Sequence, residues 1–161
     1  MIFVCVGSRE YQFDRLLKKI DDLIIQGEIN DKVFAQIGQS NYIPKYYEYK
    51  RYLSVEEFKE NQKKANLIIS HAGTGALIGA LKMGKKVIAV PRLKKYGESI
   101  DDHQIQVAQV LAQEGYLKCV LDIDDLICAI NSYKCNCTTK KYEEPSYIIE
   151  IINEFVENGK I

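Results

Sequence analysis

The chain has 161 residues, of which 47% are hydrophobic and 27% charged, and its 22 basic residues balance its 22 acidic ones. This length predicts one domain, residues 1–161, with a core that needs no disulfides. The neutral balance argues against nucleic acid as the main partner, because proteins that bind phosphate backbones usually carry a basic surplus. No run approaches the ~20 apolar residues of a membrane span, so we expect any membrane role to be peripheral or through a partner.

The N-terminal run and the cysteines bear on location and on metals. Residues 2–6 are apolar without a basic lead, which predicts a strand rather than a signal peptide. Five scattered cysteines are typical of a reducing cytosol. Cys135 and Cys137 have the wrong spacing for a zinc site, and no second pair or nearby His completes it, so no metal is predicted.

Apolar runs of the strand type alternate along the chain with amphipathic helical patterns. Strands are predicted at residues 2–6, 33–37, 46–53, 67–70, 87–90 and 119–121. Helices are predicted from Asp14 to about residue 24, from the Ser54 capping box to about residue 65, at residues 76–83, from Asp101 or Asp102 to about residue 114, and at residues 124–132. Residues 133–144 are polar and predict a loop, and Pro145 opens a last helix whose apolar stripe reaches Val156.

This alternation predicts an α/β fold, with a mostly parallel sheet and helices on both faces. Ligands of such sheets bind at the carboxyl ends of the strands. The turns to inspect are therefore residues 7–8, 38–40 and 71–75, and the segment that follows Pro91.

The sequence HAGTG, residues 71–75, stands where a predicted strand passes into a helix. Gly73 and Gly75 let the backbone turn tightly and approach a ligand, and the N–H groups at the start of the helix attract phosphate. Thr74 adds a hydroxyl donor. The alternative is that the glycines only make the turn. The pattern is neither the dinucleotide fingerprint nor a P-loop, because the third glycine and the Gly-Lys-Ser/Thr are absent.

The sequence RLKKYGESIDDHQ, residues 92–104, forms a loop long enough to carry function. Arg92 and the two lysines after it offer charge to a diphosphate, although a solvated basic loop is the simpler reading of the lysines. Asp102, His103 and Gln104 place donors and acceptors at a helix start that faces the same crevice. The alternative for Asp102 is an ordinary N-cap.

The stretches LIISHAGTGALIGALKMGKKVIAVPRL and DDHQIQVAQVLAQEGYL resemble the donor-binding half of GT-B glycosyltransferases, the family 28 C-terminal domain. They are most similar to its single-domain members, the small subunit of the eukaryotic dolichol-linked N-acetylglucosamine transferase and the bacterial exopolysaccharide or capsule β-1,4-glycosyltransferase subunits. MIFVCVGSREYQFDRLLKKID and FAQIGQSNYIP resemble them too, so the similarity runs from Met1 to about Leu117.

The resemblance implies a single Rossmann-like domain, equivalent to the C-terminal half of a GT-B enzyme, that binds a UDP-sugar as substrate and uses no cofactor. It assigns the donor diphosphate and nucleotide to residues of three turns, namely Gly7, Ser8, His71, Gly73, Thr74, Gly75 and Arg92. It assigns the sugar or ribose to Asp102, His103 and Gln104.

Two positions depart from the family pattern. Larger members and the eukaryotic subunit carry a Glu, which binds the ribose in the larger members, where this chain has Gly79. The bacterial subunits usually begin the first turn with Gly-Thr-His-Glu, whereas this chain has Gly7-Ser8-Arg9-Glu10. Nucleotide contact at Gly79 is therefore in question, and a His that some relatives hold is absent.

The family inverts the anomeric carbon, which requires a base near the acceptor and stabilisation of the departing diphosphate. His71 and His103 are candidates for the base, and neither is assigned. The resemblance also implies a membrane-anchored partner subunit that supplies the lipid-linked saccharide acceptor, which predicts a cytoplasmic chain at the inner face of the membrane. The last helix, residues 145–156, either docks that partner or covers the sheet.

The expected function is therefore the catalytic, donor-binding subunit of a two-component hexosyltransferase. It would transfer galactose or N-acetylglucosamine from a UDP-sugar to a lipid-linked saccharide in exopolysaccharide or capsule synthesis. One alternative is a non-catalytic nucleotide-sugar-binding module that stabilises a partner enzyme, which Gly79 keeps open. Another is an enzyme related to the 2-epimerases, whose catalytic carboxylates are not evident.

Overall fold

A computed structural model describes residues 1–135 and 139–141. Within them, the strands are β1 (Ile2–Cys5), β2 (Val33–Gln36), β3 (Glu48–Lys50), β4 (Leu67–Ser70), β5 (Lys86–Ala89) and β6 (Lys118–Cys119). The helices are α1 (Asp14–Ile25), α2 (Val55–Lys64), α3 (Thr74–Lys82), α4 (His103–Gln113) and α5 (Leu126–Lys134). Short 3₁₀ turns lie at Lys94–Tyr96 and Ile123–Asp125.

The strands form one parallel sheet in the order β3-β2-β1-β4-β5-β6. Alternate residues of β1 face opposite sides, as the pleat requires. Val4 packs in a core with residues of α1 and α5, whereas Phe3 packs in a second core with residues of α3 and α4. The predicted α/β fold, with a parallel sheet and helices on both faces, is confirmed.

The predicted elements are found in their places, with shifts at some ends. The Ser54 capping box is present, because the Ser54 side chain accepts from Glu57 N and the Glu57 carboxylate accepts from Ser54 N. Helix α3 begins two residues earlier than predicted, because the Gly73 carbonyl accepts the first helical bond from Leu77 N.

The predicted loop at residues 133–144 is wrong at its start, because α5 continues to Lys134. Tyr133 is buried and donates its hydroxyl to the Val87 carbonyl at 2.9 Å, which holds the end of α5 on the sheet. The predicted helix at residues 145–156 lies outside the described residues.

The segment after β5 is anchored to α1 by a buried carboxylate. Glu98 is fully buried, and it accepts bonds from Leu93 N at 2.9 Å and from Arg15 Nε and Nη2, both at 3.0 Å. The Arg15 guanidinium lies over the rings of Phe13 and Tyr96, each at 5.3 Å. This clamp fixes the course of the chain between β5 and α4.

Helices in the described part of the chain are all too short or too polar to cross a membrane.

Candidate functional site

A cavity that brings the predicted turns together lies where the strand order reverses. In the sheet, β1 lies between β2 and β4, so the chain connections on its two sides run in opposite directions. Ligands of doubly wound sheets bind in the crevice at this point. The cavity has a volume of about 910 Å³ and lies at the carboxyl ends of β1 and β4. Of the residues predicted from sequence to bind the donor, it is lined by Gly7, Ser8, His71, Gly73, Thr74, Gly75, Arg92, His103 and Gln104.

His71 is wedged between the turns that follow β1 and β4. Its Nδ1 lies 3.1 Å from the Cys5 carbonyl oxygen. A Cβ built on Gly7 would lie 2.7 Å from His71 Nε2, and one on Gly73 would lie 2.4 Å from the same atom. Both glycines are therefore needed to make room for the imidazole. This reason differs from the close ligand approach that the sequence indicated for Gly73.

The hydrogen bond of His71 fixes its tautomer. A carbonyl can only accept, so Nδ1 carries the proton and Nε2 has a lone pair. Burial, and next the nearby charge of Arg92, lower the pKa of His71 to about 4, so the ring is neutral at pH 7. A neutral ring with an Nε2 lone pair accepts protons or hydrogen bonds. It does not donate to a phosphate at that atom.

The start of α3 provides an anion site. Gly73 is the N-cap and has no side chain, so no side chain caps the helix, and its first N–H groups lack intrahelical partners. A Cβ on Gly75 would meet nothing within 4 Å, so the space beside it is open to a ligand. Ala72 turns the chain with φ of 66°, a left-handed conformation that is costly for a residue other than glycine.

Arg92 contributes to the cavity lining, but its side chain is buried beneath the first turn. It is 1% exposed, and its guanidinium donates to the carbonyls of Val6 and Tyr11, the latter at 3.0 Å. Its Nε is buried without a partner among the described residues. Burial lowers the pKa of Arg92 to about 10, although the charge of Glu98 opposes this. Arg92 therefore holds the turn after β1 and adds positive charge beneath it.

The three polar residues at the start of α4 separate. Gln104 lines the cavity and accepts Arg92 N on its Oε1 at 3.2 Å, which leaves its amide nitrogen as a donor. His103 lies at the rim with its side chain 74% exposed. Asp102 is not brought to the cavity, because its carboxylate accepts from Lys94 N at 3.2 Å. Asp101 lines the cavity instead, and it accepts from His103 N.

Sequence reasoning missed two parts of the lining. Arg9 is an exposed cation on the first turn, close enough for its charge to lower the pKa of His71. An apolar wall is formed by the chain before and at the start of α2, namely Tyr52, Leu53, Val55 and Phe58. No sequence motif indicated this apolar wall, although the capping box at Ser54 predicted the helix that carries part of it.

Metal ligands are not grouped in the described residues, since no three of their His, Cys, Asp and Glu side chains lie together.

Comparison with known proteins shows a match to the family model described as the glycosyltransferase family 28 C-terminal domain, over residues 1–155. The human protein named UDP-N-acetylglucosamine transferase subunit ALG13 is 31% identical over 130 residues, which are 72% of this chain and 10% of that protein. The Yarrowia lipolytica protein of the same name is 34% identical over 71 residues, 44% of this chain and 34% of that protein. The chain thus spans about a tenth of the length of its human relative.

Solved structures show the same fold. An NMR solution structure of ALG13 has a TM-score of 0.63 and 17% identity, with 94% of each chain covered. The crystal structure of Acinetobacter baumannii MurG has a TM-score of 0.57 and 20% identity, with 81% of this chain and 40% of that chain covered. The chain therefore matches a part of the larger protein and nearly the whole of the smaller one.

The contact between Gly73 and His71 predicts a specific steric cost. Gly73 has an ordinary φ of −67°, so Gly73→Ala tests the clash without backbone strain. We expect the variant to lose about 1–3 kcal/mol of the free energy of unfolding, measured by urea denaturation. In a His71→Ala background the same change should cost almost nothing, because the ring is gone. Equal costs in both backgrounds would show that the ring is not what Gly73 accommodates.

The depressed pKa of His71 predicts sensitivity to acid. The unfolded chain takes up this proton near pH 6.5 and the folded chain near pH 4, so the unfolded state binds more protons between these values. The free energy of unfolding should therefore be highest above pH 6.5 and fall as the pH drops toward 4. His71→Asn can still donate to Cys5 O but cannot titrate, so it should lose less stability between pH 7.5 and 5 in urea denaturation. Equal losses would assign the acid sensitivity to carboxylates.

Proposed function

Because the chain belongs to the glycosyltransferase family 28 C-terminal domain family, we propose that it is the donor-binding, catalytic subunit of an inverting transferase that uses a UDP-sugar. The observation that supports this most is the composition of the cavity. Its lining combines the uncapped start of α3 and the cation Arg9 with an apolar wall. A nucleoside diphosphate has matching parts, because its diphosphate is anionic and its base has flat faces that stack on aromatic side chains.

The floor of the cavity suits the leaving diphosphate. The N–H groups at the start of α3 and the positive end of its dipole favour negative charge, and the space beside Gly75 admits it. Arg9 adds positive charge from the first turn, and the buried Arg92 adds it from the segment after β5. The helix N–H groups and Arg92 are held in place before the reaction, so they stabilise charge that develops on the diphosphate as the bond to the sugar breaks.

His71 is the group that we propose to accept the proton of the attacking hydroxyl. His71 lines the cavity, and its Nε2 has a lone pair and no proton at neutral pH. A bound diphosphate would place negative charge near the ring and raise the pKa of His71, which improves it as a base. His103 is less suited, because it is exposed at the rim and its Nδ1 lies 3.2 Å from Gln106 Oε1.

The sugar that we propose is N-acetylglucosamine. Galactose was an equal expectation from the sequence, and the names of the curated relatives favour N-acetylglucosamine. The acceptor that we propose is a lipid-linked saccharide. A role of this chain in exopolysaccharide or capsule synthesis stays a prediction.

A partner subunit is part of the proposal. The relatives are named as subunits, and the opening of the cavity is bordered by exposed apolar side chains, with Val55 at 65% and Ile100 at 68% exposure. A surface that covers them would complete the acceptor side of the cavity. We propose that this partner is membrane-anchored and holds the chain at the cytoplasmic face of the membrane.

The second candidate function is a nucleotide-sugar-binding module that stabilises a partner enzyme without acting itself. The low pKa of His71 favours it, because a group that resists protonation is a weak base until a ligand raises its pKa. The two functions differ in whether transfer requires UDP-sugar binding by this chain.

Calorimetry with UDP tests the nucleotide site. We expect Arg9→Gln to weaken UDP binding by about tenfold, equivalent to ~1.4 kcal/mol, because it removes a cation beside the diphosphate. Uridine, which has no phosphate, should bind both proteins equally. Lys95→Gln is the matched control, since Lys95 is an exposed cation that does not line the cavity. Absence of UDP binding to the wild-type chain would contradict the proposed function.

Gly75→Asp separates the two candidate functions. An acidic side chain in the first turn of α3 favours the helix but repels a diphosphate, so the variant should fold and lose UDP binding. Membranes of the source cell, depleted of this chain, are supplied with wild type or variant and with radiolabelled UDP-N-acetylglucosamine. A catalytic subunit predicts label in the lipid fraction only with wild type. Equal labelling with Gly75→Asp would establish the stabilising role instead.

A further inference from the structure

Gln62 carries a side-chain amide whose oxygen receives no hydrogen bond from the described residues. It lies on α2, is 2% exposed, and donates its Nε2 to the Ala76 carbonyl of α3 at 3.1 Å. Because a carbonyl only accepts, the nitrogen must face Ala76, which fixes the orientation of the amide. No hydrogen bond is donated to Gln62 Oε1 by residues 1–135 and 139–141. This oxygen is not one of their fully buried unpartnered atoms, which are Ser70 Oγ and Arg92 Nε, so it keeps accessible surface where Gln62 lines the cavity.

Gly79 creates the space that Gln62 occupies. A Cβ built on Gly79 would lie 3.5 Å from Gln62 Oε1 and 3.7 Å from its Nε2. A longer side chain at this position would come between the amide and the cavity. Both residues line the cavity, so the amide of Gln62 reaches its wall across the bare backbone of α3.

An acceptor at the cavity wall that no described residue bonds gains a hydrogen bond when a ligand brings a donor to it. The donor must come from a group that lies beside Gly79. Gly79 is four residues after Gly75, about 6 Å along the helix at 1.5 Å per residue. When the diphosphate lies at the start of α3, the next group of the nucleotide in that direction is the ribose, whose hydroxyls are donors.

We propose that Gln62 Oε1 accepts a hydrogen bond from a ribose hydroxyl of the bound nucleotide and so selects ribonucleotides over deoxyribonucleotides. This inference rests on the proposed function, because it takes the diphosphate to lie at the start of α3. The apolar wall at Tyr52 and Phe58 then receives the base beyond the ribose.

Calorimetry with UDP, 2′-deoxy-UDP and 3′-deoxy-UDP tests the proposal. The wild-type chain should bind at least one deoxy analogue about tenfold more weakly than UDP, as expected for the loss of one hydrogen bond. Gln62→Leu should bind UDP and that analogue equally, at the affinity that the wild type has for the analogue. The ratio of the affinity for N3-methyl-UDP to the affinity for UDP should be the same in the wild type and in Gln62→Leu.

Asn61→Leu is the matched control. Asn61 precedes Gln62 on α2, its amide donates to the Glu57 carbonyl at 2.8 Å, and it does not line the cavity. This variant should keep the wild-type preference for UDP. Thermal unfolding confirms that each variant folds. If Gln62→Leu does not fold, Gln62→Met takes its place, because it keeps the length of the side chain without the oxygen.

Each outcome is decisive. If UDP fails to bind the wild type, the proposed function fails and this inference with it. If UDP binds but the wild type accepts both deoxy analogues equally, or Gln62→Leu keeps the wild-type preference, the inference alone is overturned. If Gln62→Leu instead loses discrimination against N3-methyl-UDP, the acceptor serves the base and the ribose assignment is wrong.

Discussion

The imidazole ring of His71 sets the distance between the two turns that carry the cavity. Strands β1 and β4 are neighbours with Cys5 opposite Ser70, so their turns emerge side by side. The ring fills the gap between them because Gly7 and Gly73 have no side chains, and its Nδ1 is bound to the Cys5 carbonyl. A third turn joins them, since a Cβ on Gly38 would lie 2.5 Å from the Gly7 carbonyl oxygen. The floor of the cavity is thus bare backbone arranged around one ring.

The electrostatics of the site follow from what lies beneath this floor. Arg92 is buried with its guanidinium on main-chain carbonyls, and carbonyls do not neutralise its charge. Glu98 is nearby, but two of its bonds come from Arg15, which already balances it. Burial lowers the pKa of His71 most, and the remaining positive charge disfavours its imidazolium further. The same charge favours a polyanion above the ring, so the cavity is suited to a diphosphate before one arrives.

Patterns of local origin made the fold predictable from sequence. The apolar runs gave the strands, and the Ser54 capping box gave the start of α2, because each depends on neighbours along the chain. The turns of the site were also located, since parallel strands bring their carboxyl ends together. The direction of a side chain was not predictable. Asp102 turns to Lys94 N and Arg92 to the carbonyls of the first turn, because packing between distant segments decides both.

Gln62 and Gly79 show how such packing can relocate a function. The family resemblance indicated an acid at the position of Gly79, which would bring a negative charge within about 6 Å of a diphosphate at the start of α3. Gln62 presents an oxygen at the same wall from α2, and this oxygen is neutral. A neutral acceptor makes a weaker hydrogen bond than a carboxylate, but it does not repel the diphosphate. Loss of the acid therefore leaves a cavity that still offers an acceptor and is more positive overall.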